Sequence, residues 1–113
     1  MIREFVLLLE FEKCWNKIGM NDEDLRELEN YLCLYPESGN VTPGTGGLRK
    51  LRWGVKEKGK RNSARIIYVD FAHYEKTYLI GAYLKSEKIN LDEKQKANIK
   101  KLIKILEQEL KGK

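Results

Sequence analysis

The chain has 113 residues, of which 42% are hydrophobic and 35% charged, and its 22 Lys and Arg against 17 Asp and Glu give a formal net charge of +5. That length fits one domain spanning residues 1–113, the apolar content excludes a disordered chain, and no apolar run reaches the roughly 18 residues that a bilayer span needs. Two cysteines, Cys14 and Cys33, form neither a disulfide framework nor a C-x-x-C pair, which fits a reducing, cytoplasmic setting. The single His leaves no His/Cys cluster, so a structural or catalytic zinc is not expected.

In chain order, residues 2–9 (IREFVLLL) read as a buried strand. Glu4, Glu10 and Glu12 interrupt or flank the apolar stretch and no small-residue cleavage site follows, so it does not read as a signal peptide. A short helix over about 10–18 puts Phe11, Trp15 and Ile18 on one face, with Gly19 placed as its C′ residue. A second helix begins at Asn21 as N-cap. Asp22, Glu23 and Asp24 fill its first turn, and Met20 and Leu25 are placed as a hydrophobic staple. Its apolar stripe runs through Leu28, Tyr31, Leu32 and Tyr35 until Pro36 ends it, and residues 36–47 (PESGNVTPGTGG) read as loop. Three strands are predicted at about 48–55, 64–71 and 76–85, joined by hairpin turns. A last helix runs over about 92–110 with its stripe on Ile99, Leu102, Ile103, Leu106 and Leu110. Asp92 with Gln95 or Asn90 with Glu93 would cap it. The pattern is α+β: two N-terminal helices and one C-terminal helix packed on a small, mostly antiparallel sheet.

Charge is concentrated in the middle. Residues 1–48 carry 4 basic and 9 acidic side chains, residues 49–65 carry 8 and 1, and residues 66–113 carry 10 and 7. The middle segment therefore holds more than the whole positive excess, which favours a polyanionic partner over an evenly solvated surface. Strand alternation places Lys50 and Arg52 on one face with Leu48, and Arg49 on the other with Leu51 and Trp53. Arg65 shares a face with Ile67, Val69 and Phe71, where a cation needs a partner or an anionic ligand. Strict alternation in the third strand puts Tyr83 and Lys85 on one face with Leu79. Lys50, Arg52, Arg65, Tyr83 and Lys85 can thus converge on one patch if the register allows it. Such a set suits RNA phosphate chemistry: Arg forks match phosphate oxygens, Lys acts as a point charge, and Tyr can stack on a base. On chemistry alone the same residues fit either cleavage by attack of the 2′-OH or plain backbone binding.

Other features lead nowhere comparable. Gly44-Thr45-Gly46-Gly47 lacks the Gly-Lys-Ser/Thr of a Walker loop and the third Gly of a dinucleotide fingerprint, and a strand follows it rather than a helix. His73 falls in a turn and reads as solvated. Cys14, Cys33 and Trp15 read as packing residues, and Trp53 as core or a stacking platform.

The run Pro43-Gly44-Thr45-Gly46-Gly47-Leu48-Arg49-Lys50-Leu51-Arg52-Trp53, with Gly59-Lys60-Arg61, Ala64-Arg65-Ile66-Ile67-Tyr68 and Ala82-Tyr83-Leu84-Lys85-Ser86-Glu87, resembles the HigB-like branch of the RelE/ParE toxin superfamily. Asp22-Glu23-Asp24-Leu25 and Tyr35-Pro36-Glu37-Ser38-Gly39 agree with it, so the resemblance covers essentially the whole chain. It implies the toxin of a type II toxin–antitoxin system, an mRNA endoribonuclease acting on the ribosome without a cofactor and held inactive by a helix-turn-helix, HigA-like antitoxin. It implies that Arg65 contacts the scissile phosphate, aided by Lys50, Arg52 and Lys85, with Tyr83 as the substitute for a C-terminal tyrosine that this chain lacks. Asp92 stands nearest that tyrosine's place, and Ser86 stands where RelE has an arginine. Arg49 goes with the basic strand, and Lys56, Lys58, Lys60 and Arg61 are implied to grip ribosomal RNA or the antitoxin. A ParE-like gyrase poison and a non-catalytic RNA-binding domain are the competing functions.

Overall fold

In a computed structural model of the chain, the described residues are 2–54, 63–85, 87 and 91–112. The architecture is the expected α+β: two N-terminal helices, a five-stranded, mostly antiparallel sheet and a C-terminal helix. The elements are β1 (Glu4–Leu7), α1 (Leu9–Lys17), α2 (Asp22–Leu34), β2 (Asn40–Val41), β3 (Arg49–Gly54), β4 (Ser63–Phe71), β5 (Lys76–Leu84) and α3 (Glu93–Lys111). A 3-10 turn, Ala72–Tyr74, joins β4 to β5, and Glu75 leaves it with φ 54°. The strand order is β1-β5-β4-β3-β2, with β1 parallel to β5 and every other pair antiparallel.

Local sequence explains most boundaries. Asn21 caps α2 by accepting from the Asp24 N–H while the Asp24 side chain accepts from Asn21 N–H, and Asp92 and Gln95 make the same reciprocal box on α3. The first of the two capping frames read for α3 is therefore the one used; Asn90 lies outside the described residues. The first strand is shorter than the predicted 2–9, because the apolar run turns the corner at Leu8 and its last residue, Leu9, already begins α1. Within the predicted loop, Asn40 and Val41 form a two-residue edge strand opposite Lys50 and Arg49. A pair that short carries no periodicity to read.

The two sheet faces have separate cores. Phe11, Trp15, Leu28 and Leu32 of α1 and α2 pack with Leu51, Ile66, Tyr68, Leu79 and Ala82 on one face. Ile103, Leu106 and Leu110 of α3 pack with Leu48, Val69 and Tyr78 on the other. β5 serves both through a bulge. Tyr68 opposes Leu79 while Ile67 opposes Gly81, which leaves Ile80 as an extra residue. This corrects the strict alternation read for the third strand. Leu79 lies on the α1/α2 face, and Tyr83, four residues on, comes to the α3 face opposite Arg65.

Two buried polar knots brace β4. At one end the Arg3 guanidinium Nε donates to Asp70 Oδ1 at 2.8 Å, with the two side chains only 5% and 4% exposed, and Thr77 Oγ1 donates to the same oxygen at 2.6 Å. The Asp70 hydrogen bond raises the Arg3 pKa above its usual value, burial opposing it. In the middle, the fully buried Tyr68 hydroxyl accepts from Gly39 N–H at 2.9 Å and donates to the Pro36 carbonyl at 3.0 Å. A Cβ on Gly39 would stand 2.9 Å from the Tyr68 ring, so glycine is needed for this approach. The phenol thus ties the 36–39 segment, and β2 just after it, to the centre of the sheet.

Burial pushes the Tyr68 pKa up. The folded chain holds the phenolic proton more tightly than the unfolded chain, whose value is about 10. This contribution is complete below about pH 10 and is lost as pH rises through the raised value. Tyr68→Phe strands a buried N–H and carbonyl, and is expected to lower stability at neutral pH by about 1–3 kcal/mol. Urea unfolding at neutral and alkaline pH should show this loss together with a shallower alkaline decline than wild type. An unchanged neutral midpoint would contradict the bracing role.

Candidate nucleic-acid interface

β3 reads Arg49-Lys50-Leu51-Arg52-Trp53, so successive cations leave the strand on opposite faces. Arg49 goes to the α1/α2 side, where its Nη1 donates to the Gly39 carbonyl at 2.7 Å and the Glu37 carbonyl at 3.2 Å. It holds the same segment as Tyr68 and is not among the cleft residues. Lys50 and Arg52 go to the α3 side. Their ladder partners on β4 are Ile67 and Arg65, whose own partners on β5 are Gly81 and Tyr83.

Two adjacent rows therefore cross the sheet on one face. Arg52, Arg65 and Tyr83 form one, and Asn40, Lys50, Ile67 and Gly81 the other. Directly opposed side chains in such a ladder have their Cβ atoms about 5 Å apart, and opposed like charges destabilise it. A cleft of about 280 Å³ opens here, walled by Asn40, Val41, Thr42 and Pro43 and based on Lys50, Arg52 and Arg65. None of these lining residues is acidic. Tyr83 stands at the end of the first row with its side chain mostly buried, 8% exposed. A Cβ built on Gly81 would find no atom within 4 Å, so the second row ends in open space beside it.

The cleft wall is held from within its own loop. Thr45, fully buried, donates through Oγ1 to the Thr42 carbonyl at 2.6 Å and accepts from Leu48 N–H at 3.1 Å. Gly44, Gly46 and Gly47 flank it with φ of 81°, 79° and 119°, a left-handed backbone that suits glycine. The glycine run is thus a rigid corner that delivers β3 beside the cleft.

The structure brings Lys50, Arg52, Arg65 and Tyr83 together. Lys85 is exposed in the turn after β5 and does not line the cleft. Lys56, Lys58, Lys60 and Arg61, together with Ser86, lie outside the described residues. Asp92 caps α3. His73 is exposed in the 3-10 turn beyond the far end of β4 from Arg65, roughly 20 Å along the strand. Sequence reading missed Asn40, Val41, Thr42 and Pro43 as cleft wall. It also missed the bulge, although a glycine inside a strand pattern, Gly81, is the usual signal for one. Among the described residues, no group of three or more His, Cys, Asp or Glu is placed to hold a metal ion, and no helix is long and apolar enough to cross a membrane.

No protein-family model matches the chain. Among solved structures, the solution structure of the conserved hypothetical protein HP0894 from Helicobacter pylori aligns with 77% of this chain and 98% of its own. The identity is 18% and the TM-score 0.34. That protein is described only as conserved and hypothetical, so no activity comes over from it.

Arg52 and Arg65 face each other across one ladder pair, and like charges so placed disfavour the pairing. Arg52→Thr, a good strand former on an exposed position, is expected to raise stability by about 0.2–1 kcal/mol at low salt and by less at high salt. Thermal unfolding at two ionic strengths, paired with an RNA-binding assay, checks it. Lower stability in the variant would show that Arg52 serves the fold.

Proposed function

We propose that this chain is a RelE/ParE-like toxin of the HigB type that cleaves mRNA on the ribosome, with a helix-turn-helix antitoxin as its inhibitory partner. The observation that carries the reading is the cleft with Lys50, Arg52 and Arg65 at its base and Tyr83 in the same ladder row. The sequence resemblance supplies the biological setting.

The chemistry asked of the site is transfer of the phosphoryl group from the 5′-oxygen to the 2′-oxygen. The ribose 2′-oxygen attacks the adjacent phosphorus and loses its proton. The bond to the 5′-oxygen breaks, and that oxygen gains a proton, leaving a 2′,3′-cyclic phosphate and a 5′-hydroxyl. The protein must hold the attack in line and stabilise the charge that builds on the non-bridging oxygens. Arg65 suits the clamp. It sits on the central strand, braced by β3 and β5, and its planar fork can meet two phosphate oxygens. Lys50 and Arg52 add positive potential on the neighbouring strand. The Tyr83 phenol is the candidate for proton transfer at the leaving or attacking oxygen. Asn40, at the rim opposite Lys50, offers an amide to a base edge.

The test is cleavage of a defined mRNA in reconstituted translation, with and without ribosomes. Wild type should cut only translated message. Arg65→Ala should lower the rate by about 10²–10³-fold, the usual loss when one charge-stabilising donor is removed. Cleavage undiminished in Arg65→Ala would remove the clamp from the mechanism. Intact mRNA in every lane, with inhibited gyrase supercoiling, would replace the nuclease by a gyrase poison.

A further inference from the structure

The cleft does not end at its wall. Thr42 and Pro43 line it, and the next residues of the same loop lie on α3: a Cβ on Gly44 would stand 3.7 Å from Lys96 Cδ, and one on Gly46 would stand 3.4 Å from Lys100 Cγ. Lys96 occupies a position of the buried stripe that continues through Ile99, Ile103, Leu106 and Leu110. A lysine there lays its methylene stem beside the glycine corner. Lys100 repeats the arrangement one turn, about 5.4 Å, further along the helix, and Lys104 follows exposed on the next turn.

The distribution of charge on α3 separates this from an ordinary solvated helix. Residues 94–104 contain five lysines and no acid, and the helix keeps its glutamates at position 93 and at 107 and 109. The only described ion pair within it, Lys96 with Glu93 at 3.8 Å, is long, and its carboxylate is 96% exposed. Such a pair is worth little and leaves the lysine available to a polyanion. A solvated face stabilised by its own i,i+4 pairs would instead interleave the two signs.

We propose that Lys96 and Lys100 of α3 extend the cleft into a track for the single-stranded RNA that lies beyond the cleaved nucleotides, with the Gly44–Gly47 corner as the saddle between the two parts. This rests on the reading of the cleft as an RNA site. The track holds sugar-phosphate backbone without reading sequence, because lysine heads offer point charges and the glycine corner offers no side chain to discriminate bases. It would add affinity for a long strand and none for a fragment that fills the cleft alone.

The test uses the full chain, with Lys96→Gln/Lys100→Gln as the variant, since glutamine matches lysine in helix propensity and keeps a long stem. Two probes are titrated across a series of salt concentrations: a non-cleavable trinucleotide and a non-cleavable dodecanucleotide, both RNA. The expected result is unchanged trinucleotide affinity, a loss on the order of tenfold for the dodecanucleotide at low salt, and a salt slope for the longer probe smaller by about 1.4, two single-strand phosphate contacts. Equal dodecanucleotide affinity and slope in variant and wild type would overturn the track. So would an equal loss on both probes, which would place the lysines inside the cleft site. A companion variant, Lys50→Gln/Arg65→Gln, separates the two claims. It should lose both probes, and if it binds both as wild type does, the reading of the cleft itself fails whatever α3 does.

Discussion

One unpaired residue in β5 sets which side chains share the working face. Up to Leu79 the strand alternates so that Tyr78 meets the α3 core and Leu79 the α1/α2 core. If that alternation continued unbroken, Ala82 would face α3, and Tyr83 would be driven into the α1/α2 core. The extra residue at Ile80 shifts the phase, so that Ala82 and Leu84 join the α1/α2 core and Tyr83 stands opposite Arg65. A one-residue change of phase moves every later side chain to the other face. Here the same shift keeps both cores apolar and completes the polar row. The bulge lies beside the cleft, where such irregularities re-aim side chains.

The rest of the sheet divides its duties by face as well. The α1/α2 face carries the devices that hold the fold: the Tyr68 phenol on Pro36 and Gly39, the Arg49 fork on the same segment, and the buried Arg3–Asp70 pair with Thr77. The α3 face is apolar where Ile103, Leu106 and Leu110 cover it and cationic where they do not. Arg65 and Tyr68, three residues apart on β4, therefore serve opposite ends. One stands beside a cleft, opposite a second arginine. The other anchors the segment that leads into the wall of that cleft. The strands that bear the two opposed arginines are held by a packed core on the reverse side.

Much of this was legible in the residues. Apolar spacing at three and four located α1, α2 and α3, and Asn21 marked the cap of α2, while Asp92 was one of two frames read for α3, because helix termini need specific side chains to satisfy specific backbone groups. Alternation in β3 separated Arg49 from Lys50 and Arg52 correctly, which is why one arginine turned out to brace a loop while its neighbours line a cleft. What alternation could not supply was phase after an irregularity, so Leu79 was placed on the wrong side. Nor could it supply a strand of two residues. Asn40 and Val41 pair with β3 because Tyr68 and Arg49 deliver the preceding segment there, and those contacts join residues 29 and 10 positions apart. The glycine corner showed its composition in the sequence, but its seat on Lys96 and Lys100 is a tertiary fact.

The central claim is that the row of Arg52, Arg65 and Tyr83, with Lys50 beside it, is where an RNA phosphate sits. Its most direct measurement is an NMR titration of the isotope-labelled chain with a short RNA whose 2′-hydroxyl at the scissile position is methylated. The account predicts saturable shifts at Lys50, Arg52, Arg65 and Tyr83 and at the Asn40–Pro43 wall, with the Arg65 guanidinium signals moving most. Shifts gathered instead around Leu34 and Tyr35, or around His73, or none at all at low salt, would contradict it.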